Sequence, residues 1–276
     1  MAKKKVAKVP LWQALVDRGF FEDRKTATSW ILSGKVLVNG QRGNTAGELI
    51  REDAEIYVKG IDLKYVGKGG LKLEGALADF KIDVTGKVSL DAGASTGGFT
   101  DCLLQHGASK VYAIDVGYGQ LAGRLRQDKR VVNMERTNIS DVTREQLDPL
   151  PSVATVDLSY LSLKKGIPIV AELMEEGGDI ICLVKPLFEI KDPEARRTGE
   201  IKEPDAYRQV LSDLVQFVDG IGLNCIGVTH SPVTGNKGTR EFFLWVSLDR
   251  TKMKRDLPND IERAVEVVMK LKPYEK

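Results

Sequence analysis

The chain has 276 residues and a net charge of +2, enough for one large α/β domain and a smaller one. The charge is uneven, because residues 1–72 hold 14 Lys and Arg against 8 Asp and Glu, whereas the remainder holds 27 against 31. No run approaches the roughly 20 apolar residues of a membrane helix, and the start Met1–Lys5 lacks the apolar centre of a signal peptide. We therefore predict a soluble cytoplasmic protein. The basic amino-terminal segment is explained equally well by a module that binds a polyanion and by a solvated charged surface.

The cysteines and histidines are few. Cys102, Cys182 and Cys225 are dispersed in apolar or helical runs, which predicts buried, reduced thiols. With only His106 and His230 beside them, the chain offers no metal-ligand spacing. Neither a disulfide framework nor a metal site is therefore expected.

A small α+β unit is predicted after a basic tail over residues 1–8. Helices are indicated from Pro10 to Gly19 and over residues 23–32, the second capped by Asp23. Strands over residues 36–41 and 55–58 follow, and the first enters an Asn-Gly turn.

The order of these elements is accompanied by three motifs, F-x-x-R-x-x-A, S-G-x-V-x-V-N-G and D-x-x-x-x-V. Together they resemble the small RNA-binding module named after ribosomal protein S-four, over about residues 9–60. The resemblance implies that the second helix and the following loop contact RNA, with Arg24, Lys25 and Lys35 facing phosphates. Arg24 or Lys35 taken singly is equally well explained as an exposed, solvating charge.

Residues 61–66 are predicted to be a linker, and residues 67–276 a second domain. Its helix start near Tyr65 leads into a run with Leu73, Leu77 and Phe80 on one buried face and Lys72 beside that face. Strands and helices then alternate, the strands near residues 88–91, 111–115, 131–134, 153–157, 179–184, 223–229 and 241–248. The helices are predicted near residues 100–106, 119–126, 163–175, 204–219 and 258–271.

This alternation indicates a mostly parallel sheet covered by helices on both faces. The last two strands are joined only by residues 229–240, too few for a helical crossover, so they should pair antiparallel. A seven-stranded sheet with a reversed last strand is the architecture of class I, Rossmann-like methyltransferases. The charged stretch from Glu189 to Pro204 has few apolar residues and is predicted to be a mobile loop.

A glycine-rich stretch, D-A-G-A-S-T-G-G-F-T over residues 91–100, joins the first of these strands to a helix. Its glycines allow tight turns and close approach of a ligand, and the free N–H groups at the helix start suit a polar group. Asp115 ends the next strand, where an acidic residue meets ribose hydroxyls in nucleoside-binding α/β units. The departure from strict G-x-G-x-x-G favours a nucleoside cofactor smaller than a dinucleotide.

Four ionisable residues are expected at the carboxyl edge of the parallel strands, where ligands bind in open α/β sheets. Asp157 and Lys185 end the fourth and fifth strands, Glu241 begins the reversed seventh, and Lys72 flanks them from the preceding helix. Asp157 with Lys185 can be a structural ion pair, and Glu241 or Lys72 alone a surface residue. All four together are better explained by function, because charges at the ends of apolar strands are costly.

Lys72, Asp157, Lys185 and Glu241 match the Lys-Asp-Lys-Glu tetrad of FtsJ-like ribose 2′-O-methyltransferases. With the S-four-type module, the chain resembles the TlyA family, also labelled hemolysin A, over nearly its whole length. The resemblance implies S-adenosylmethionine as cofactor and ribosomal RNA or ribosomal subunits as substrate, with 2′-O-methylation of cytidine. The hairpin from Thr234 to Thr239 differs from the family pattern, which leaves the target nucleotide open.

The resemblance also assigns roles to the residues of the glycine-rich stretch and of the strand ends. The methionine end of the cofactor is expected at Gly93, Gly97 and Gly98, the ribose at Asp115, and the adenine at Asn138 and Ile139. Further cofactor contacts are expected from Asp91, Ser95, Thr96 and Phe99. Lys185 is the expected base for the 2′-hydroxyl, and nearby Lys72 and partial burial favour its neutral amine. Asp157 and Glu241 are expected to orient the amines.

Three other functions agree less well with the sequence. A membrane-active cytolysin, as the hemolysin label suggests, is disfavoured because the sequence shows no export signal and no apolar span. A non-enzymatic RNA-binding or ribosome-assembly factor would have no use for an intact tetrad. A pseudouridine synthase can carry the same amino-terminal module but has no use for the glycine-rich cofactor loop.

Overall fold

The amino-terminal part of the chain forms a small α+β module in the computed structural model, which describes residues 7–21, 23–61, 64–159, 161–235 and 238–272. The module contains the helices α1 (Leu11–Asp17) and α2 (Arg24–Leu32). Its strands are β1 (Lys8–Pro10), β2 (Val36–Val38), β3 (Gln41–Arg42), β4 (Leu49–Arg51) and β5 (Ile56–Val58). Most of the predicted tail, residues 1–6, and residues 62 and 63 of the predicted linker lie outside the described residues.

The module has an apolar core of its own, in which Leu11, Leu15, Ile31 and Val36 are fully buried. Asp23 caps α2 as predicted, since its carboxylate accepts a hydrogen bond of 2.8 Å from the backbone N–H of Thr26. The antiparallel pair of β1 and β4 was not predicted. Strands of three residues show too little alternation to be recognised from sequence.

The second part of the chain is built on a seven-stranded sheet. Its strands are β6 (Val88–Ala92), β7 (Lys110–Asp115), β8 (Val131–Glu135), β9 (Val153–Val156), β10 (Asp179–Val184), β11 (Asn224–His230) and β12 (Phe242–Ser247). They are arranged in the order β11-β12-β10-β9-β6-β7-β8. Only β12 runs antiparallel to its neighbours, so the predicted sheet with a reversed last strand is confirmed.

Helices cover both faces of this sheet. They are α3 (Lys68–Phe80), α4 (Gly98–Gln105), α5 (Gly123–Arg126), α6 (Leu163–Leu173), α7 (Pro186–Glu189), α8 (Pro193–Thr198), α9 (Pro204–Gly220) and α10 (Leu257–Lys270). Side chains of α3 and α4 join one apolar core, and those of α6, α9 and α10 join the core on the opposite face. The three cysteines are buried free thiols within these cores, as expected.

The prediction of a mobile loop from Glu189 to Pro204 is wrong. The stretch holds the end of α7 and all of α8, and Ile190, Ala195 and Ile201 are buried in the core. These three apolar residues stand singly among charged residues, so they form no periodic pattern in the sequence. Each nevertheless packs into the apolar core between the sheet and the helices that cover it.

Helix α3 is held against the segment that precedes β12 by an unusually close approach. A Cβ at Gly75 would lie 2.6 Å from Cγ of Pro232, so only glycine lets the two surfaces meet at this spacing. The backbone N–H of Ser231 in turn donates a 2.9 Å hydrogen bond to the carbonyl oxygen of Glu241. The start of β12 is thereby brought next to α3.

We expect Gly75→Ala to be less stable than Gly220→Ala by about 1–3 kcal/mol, the usual cost of overpacking. Gly220 is a matched control because it also lies in a helix but faces open space, so both variants gain similar helix propensity. Urea unfolding of the two variants measures the difference. Equal midpoints would show that the contact of α3 with Pro232 is loose.

Candidate active site

A cavity of about 860 Å³ opens at the carboxyl edge of the parallel strands. All four residues of the predicted tetrad line it, together with eight of the ten residues predicted for the cofactor. These eight are Gly93, Ser95, Thr96, Gly98, Phe99, Asp115, Asn138 and Ile139. The structure therefore brings the two predicted sites into one cavity.

Asp157 and Lys185 form an ion pair at the ends of neighbouring strands. The parallel register pairs Val156 of β9 with Cys182 of β10, so both strands end at the same edge of the sheet. The side chains are 25% and 22% exposed, which leaves the Lys185 amine accessible from the cavity. The pair is thus positioned to meet a bound molecule.

Lys72 and Glu241 form a second pair, with Nζ and Oε2 2.5 Å apart. Both residues are buried, at 9% and 5% exposure. Because β12 runs backwards and places Phe242 opposite Val184, its start lies at the same edge as the end of β10. Glu241 and Lys185 therefore leave their strands at adjacent positions.

The charges around Lys72 keep it protonated. Burial lowers the pKa of Lys72, but the negative charges of Glu241 and Asp157 and a hydrogen bond to Glu241 outweigh it, and the pKa ends above its ordinary value of 10.5. Asp157 thus acts on two cations, Lys185 by direct contact and Lys72 through its charge. Two basic and two acidic side chains thus lie within one site.

The glycine-rich stretch brings the backbone of β6 against that of β9. Gly93 has a φ of +92°, and a Cβ there would lie 2.3 Å from the carbonyl oxygen of Asp157. Any other residue would push the loop away from the strand end that carries the ion pair. This close approach is the reason why the loop and the tetrad share one cavity.

Asp115 fixes the same loop from the other side. One carboxylate oxygen accepts a 2.8 Å hydrogen bond from the N–H of Ser95, and the other accepts a 2.7 Å bond from the N–H of Gly117. Each oxygen retains a lone pair for a further donor. The carboxylate can therefore bind a hydroxyl pair while it shapes the cavity wall.

Two predicted cofactor residues, Asp91 and Gly97, do not line the cavity, which corrects their assignment as direct contacts. The Asp91 carboxylate is fully buried and accepts hydrogen bonds from the hydroxyls of Thr100 (2.6 Å) and Thr155 (3.0 Å). Gly97, with a φ of +96°, packs towards Leu125 instead. Asp91 supports the loop from beneath, because alternate side chains of a strand point to opposite faces of the sheet.

Sequence reasoning missed several residues of the cavity wall. Phe188 was identifiable, since it follows Lys185 by three residues and α7 returns it to the same edge. Lys68 lies one turn before Lys72 on α3. Asp17 had no signal at all, because it comes from α1 of the amino-terminal module.

The amino-terminal module contacts the larger unit beside this cavity. Asp53 of the module accepts a hydrogen bond of 3.2 Å from Arg126 of α5. The cations predicted to contact RNA are exposed on α2 and after it, away from the cavity. Arg24 lies 5.1 Å from the centroid of the Trp12 ring, and Lys35 lies 4.6 Å from that of Trp30.

The larger unit also matches a known family. The model of the FtsJ-like methyltransferases matches residues 65–248, which contain all four tetrad residues and the glycine-rich loop. The chain belongs to the FtsJ-like methyltransferase family. This match confirms two predictions from the sequence, namely the FtsJ-like family and the class I methyltransferase fold.

Similar proteins cover most of the chain. It is 36% identical to the 16S/23S rRNA (cytidine-2′-O)-methyltransferase TlyA of Mycobacterium tuberculosis over 254 residues, 91% of this chain and 95% of TlyA. It is 39% identical to Hemolysin A of Brachyspira hyodysenteriae over 225 residues, 81% of this chain and 93% of that protein. A solved structure from Streptococcus thermophilus, named as a hemolysin, has a TM-score of 0.80 and 37% identity, covering 96% of this chain and 97% of the other.

Among residues 7–272, apart from the short undescribed gaps, no helix is long and apolar enough to span a membrane. The residues of the family match include the sheet and the loop that build the cavity.

The buried carboxyl of Asp91 makes stability depend on pH in a predictable direction. Burial, together with the nearby charge of Asp157, raises the pKa of Asp91 to about 6 from 3.8, against the opposing hydrogen bonds of Thr100 and Thr155. Because the folded state favours the protonated carboxyl, its contribution to stability is complete below pH 3.8 and is lost as pH rises through 6. Between pH 4 and 7.5, the wild type should lose about 2 kcal/mol relative to Asp91→Asn, whose side chain stays neutral.

Urea unfolding across this pH range measures the difference. Asp83→Asn serves as the control, because hydrogen bonds from Thr85 lower the pKa of Asp83 and its stabilisation is lost only in more acidic solution. That control should parallel the wild type above pH 4. Parallel curves for Asp91→Asn as well would contradict the burial of an ionisable carboxyl at this position.

Proposed function

We propose that this FtsJ-like protein is an S-adenosylmethionine-dependent ribose 2′-O-methyltransferase that acts on cytidine in ribosomal RNA. The observation that carries the proposal is the presence of Lys72, Asp157, Lys185 and Glu241 in the cavity that also holds the glycine-rich loop. The name of the TlyA relative supports the substrate and the reaction. Transfer of a labelled methyl group to purified ribosomal RNA and subunits, followed by mapping of the nucleotide, tests it directly.

The cavity wall fits the proposed cofactor. Six glycines expose backbone to the cavity, namely Gly67, Gly69, Gly93, Gly98, Gly117 and Gly235. Such a wall suits the carboxylate and ammonium of an amino acid, and the Asp115 carboxylate suits ribose hydroxyls. Asn138 and Ile139, in the loop after β8, would contact the adenine, with Ser95, Thr96 and Phe99 between the two ends. When bound, S-adenosylmethionine supplies an electrophilic methyl group on its sulfonium.

The tetrad would prepare the 2′-hydroxyl, a poor nucleophile that must lose its proton as it attacks. Lys185, the more accessible amine, would accept that proton in its neutral form. Asp157 would orient the amine and then stabilise the ammonium that forms. Lys72 stays protonated, so it supplies a fixed positive charge held by Glu241. Alignment of the hydroxyl and the methyl group would contribute much of the acceleration.

The amino-terminal module would supply RNA affinity. We infer that residues 9–60 form the S-four-type RNA-binding domain, residues 61–66 the connection, and residues 67–276 the methyltransferase domain. The exposed cations Arg24, Lys25 and Lys35 would contact phosphates, which give affinity and position rather than a choice of sequence.

If Asp115 binds the cofactor ribose, Asp115→Ala should weaken cofactor binding more than tenfold, because hydrogen bonds to a charged group are lost. Isothermal titration calorimetry measures the affinity. Asp205→Ala removes a carboxylate whose side chain is 91% exposed and should bind like the wild type. An Asp115→Ala protein that is folded and binds unchanged would refute the assignment.

If Lys185 is the base, Lys185→Ala should bind cofactor and RNA normally yet lose methyl transfer by about 10²–10⁴-fold. Lys185→Arg should be nearly as inactive, since a guanidinium stays protonated at any usable pH. Single-turnover assays measure the rate, with exposed Lys129→Ala as the control. An arginine variant with most of its activity would show that position 185 contributes charge alone.

If the module supplies phosphate contacts, the triple variant Arg24→Ala, Lys25→Ala, Lys35→Ala should flatten the salt dependence of RNA binding. The slope of log K against log salt should fall by about 2–3, since each lost contact removes roughly 0.7–0.9. Cofactor affinity should change little, because these residues lie outside the cavity. Replacing the exposed lysines 129 and 270 should alter the slope by less than about 1, and a triple variant with the wild-type slope would exclude this surface.

A further inference from the structure

The described wall of the active-site cavity has two aromatic side chains, Phe99 and Phe188. Phe99 is only 4% exposed, and its ring packs on Phe243 in the core with the centroids 6.1 Å apart. Phe188 is half-buried, and its ring centroid lies 5.8 Å from Nζ of Lys185. Phe188 therefore presents an aromatic ring to the cavity beside the proposed base.

The ring is held on a rigid support. Helix α7 begins directly after Lys185 with Pro186, and the N–H of Phe188 donates a 2.8 Å hydrogen bond to the Lys185 carbonyl oxygen. The neighbouring Glu189 carboxylate accepts hydrogen bonds from the Ser162 hydroxyl (2.6 Å) and the Leu163 N–H (2.8 Å). The single turn is thereby tied to the start of α6 as well as to β10. The position of the ring relative to Lys185 is thus set by the backbone.

A ribose 2′-hydroxyl can reach Lys185 only if the target nucleotide enters the cavity, and its base must then leave the stack of its neighbours. An unstacked base is usually received by an aromatic side chain. The cavity of about 860 Å³ lies near the upper end of the roughly 300–1,000 Å³ typical for one small ligand, so a nucleotide can enter beside the cofactor.

We propose that Phe188 is the platform on which the base of the target nucleotide stacks, so that the 2′-hydroxyl of the same nucleotide faces Lys185. The proposal rests on the ribose methyltransferase function inferred above. It assigns Phe188 to the substrate rather than to the cofactor, because the ring lies on the Lys185 side of the cavity. The cofactor's predicted ribose site, Asp115, lies at the end of a different strand.

The test compares Phe188→Leu, which keeps apolar volume but removes the aromatic face, with Phe188→Trp, which keeps the face. Single-turnover methyl transfer to ribosomal RNA should slow about 5- to 100-fold in the leucine variant, the range for the loss of one stacked base. The tryptophan variant should retain most of the wild-type rate. RNA affinity should change less than about threefold, because RNA can stay bound through its phosphate contacts while the target base remains in its own stack. Cofactor affinity should change less than about twofold.

Three results would overturn the proposal. A leucine variant as fast as the wild type would show that the ring is not used. Loss of cofactor affinity in parallel with the rate would make Phe188 part of the cofactor wall. A shifted pH–rate profile that accounts for the slower rate would mean that the ring acts on Lys185 instead.

Failure of this inference is distinguishable from failure of the proposed function. If the wild type transfers no methyl group to ribosomal RNA or subunits, the proposed function itself is wrong. If the wild type is active and Phe188→Leu is equally active while folded, as judged by its thermal midpoint, only the role of Phe188 is rejected.

Discussion

The ion pair between Lys72 and Glu241 is the contact on which the site depends most. Both side chains are almost fully buried, and a charge left without a partner at that depth costs several kcal/mol. The partners come from opposite ends of the sheet's path, since α3 precedes β6 and Glu241 precedes β12. Their meeting requires the close packing of Gly75 on Pro232 and the reversed direction of β12. The ion pair therefore forms only when α3 and the start of β12 are packed together.

A second constraint joins that pair to the cofactor loop. The absence of a side chain at Gly93 lets the loop after β6 touch the backbone of Asp157, and Asp157 holds Lys185. Two carboxylates therefore shape different parts of the cavity wall. Asp115 lies near the predicted cofactor site, and Asp157 lies near the predicted base. The proposed cofactor and the proposed substrate hydroxyl can then bind to neighbouring loops of the same sheet. Their reacting atoms would be aligned without a large movement of the protein.

Prediction from sequence succeeded where a long pattern repeats. The strands of the sheet alternate with amphipathic helices, and the short connection between the last two strands excluded a helical crossover, so the strand directions followed from the length of that connection. It failed where the pattern was short or irregular. The three-residue strands β1 and β4 and the helix α8 depend on isolated buried residues such as Ile50 and Ala195, whose partners are distant in sequence. Such contacts have no periodic signature.

By itself the sequence determined the order of the strands along the chain, the glycine-rich loop, the three charged residues at strand ends and Lys72 on the preceding helix, because each follows from local chemistry and from the alternation of the sheet. Only the tertiary structure decided which of these residues face the cavity. It turned Asp91 inward to two threonines, brought Asp17 in from another module, and placed Phe188 beside Lys185. The physical reason is that the direction of a side chain relative to the cavity depends on how separate helices and strands pack. That packing is determined by contacts between residues far apart in the chain.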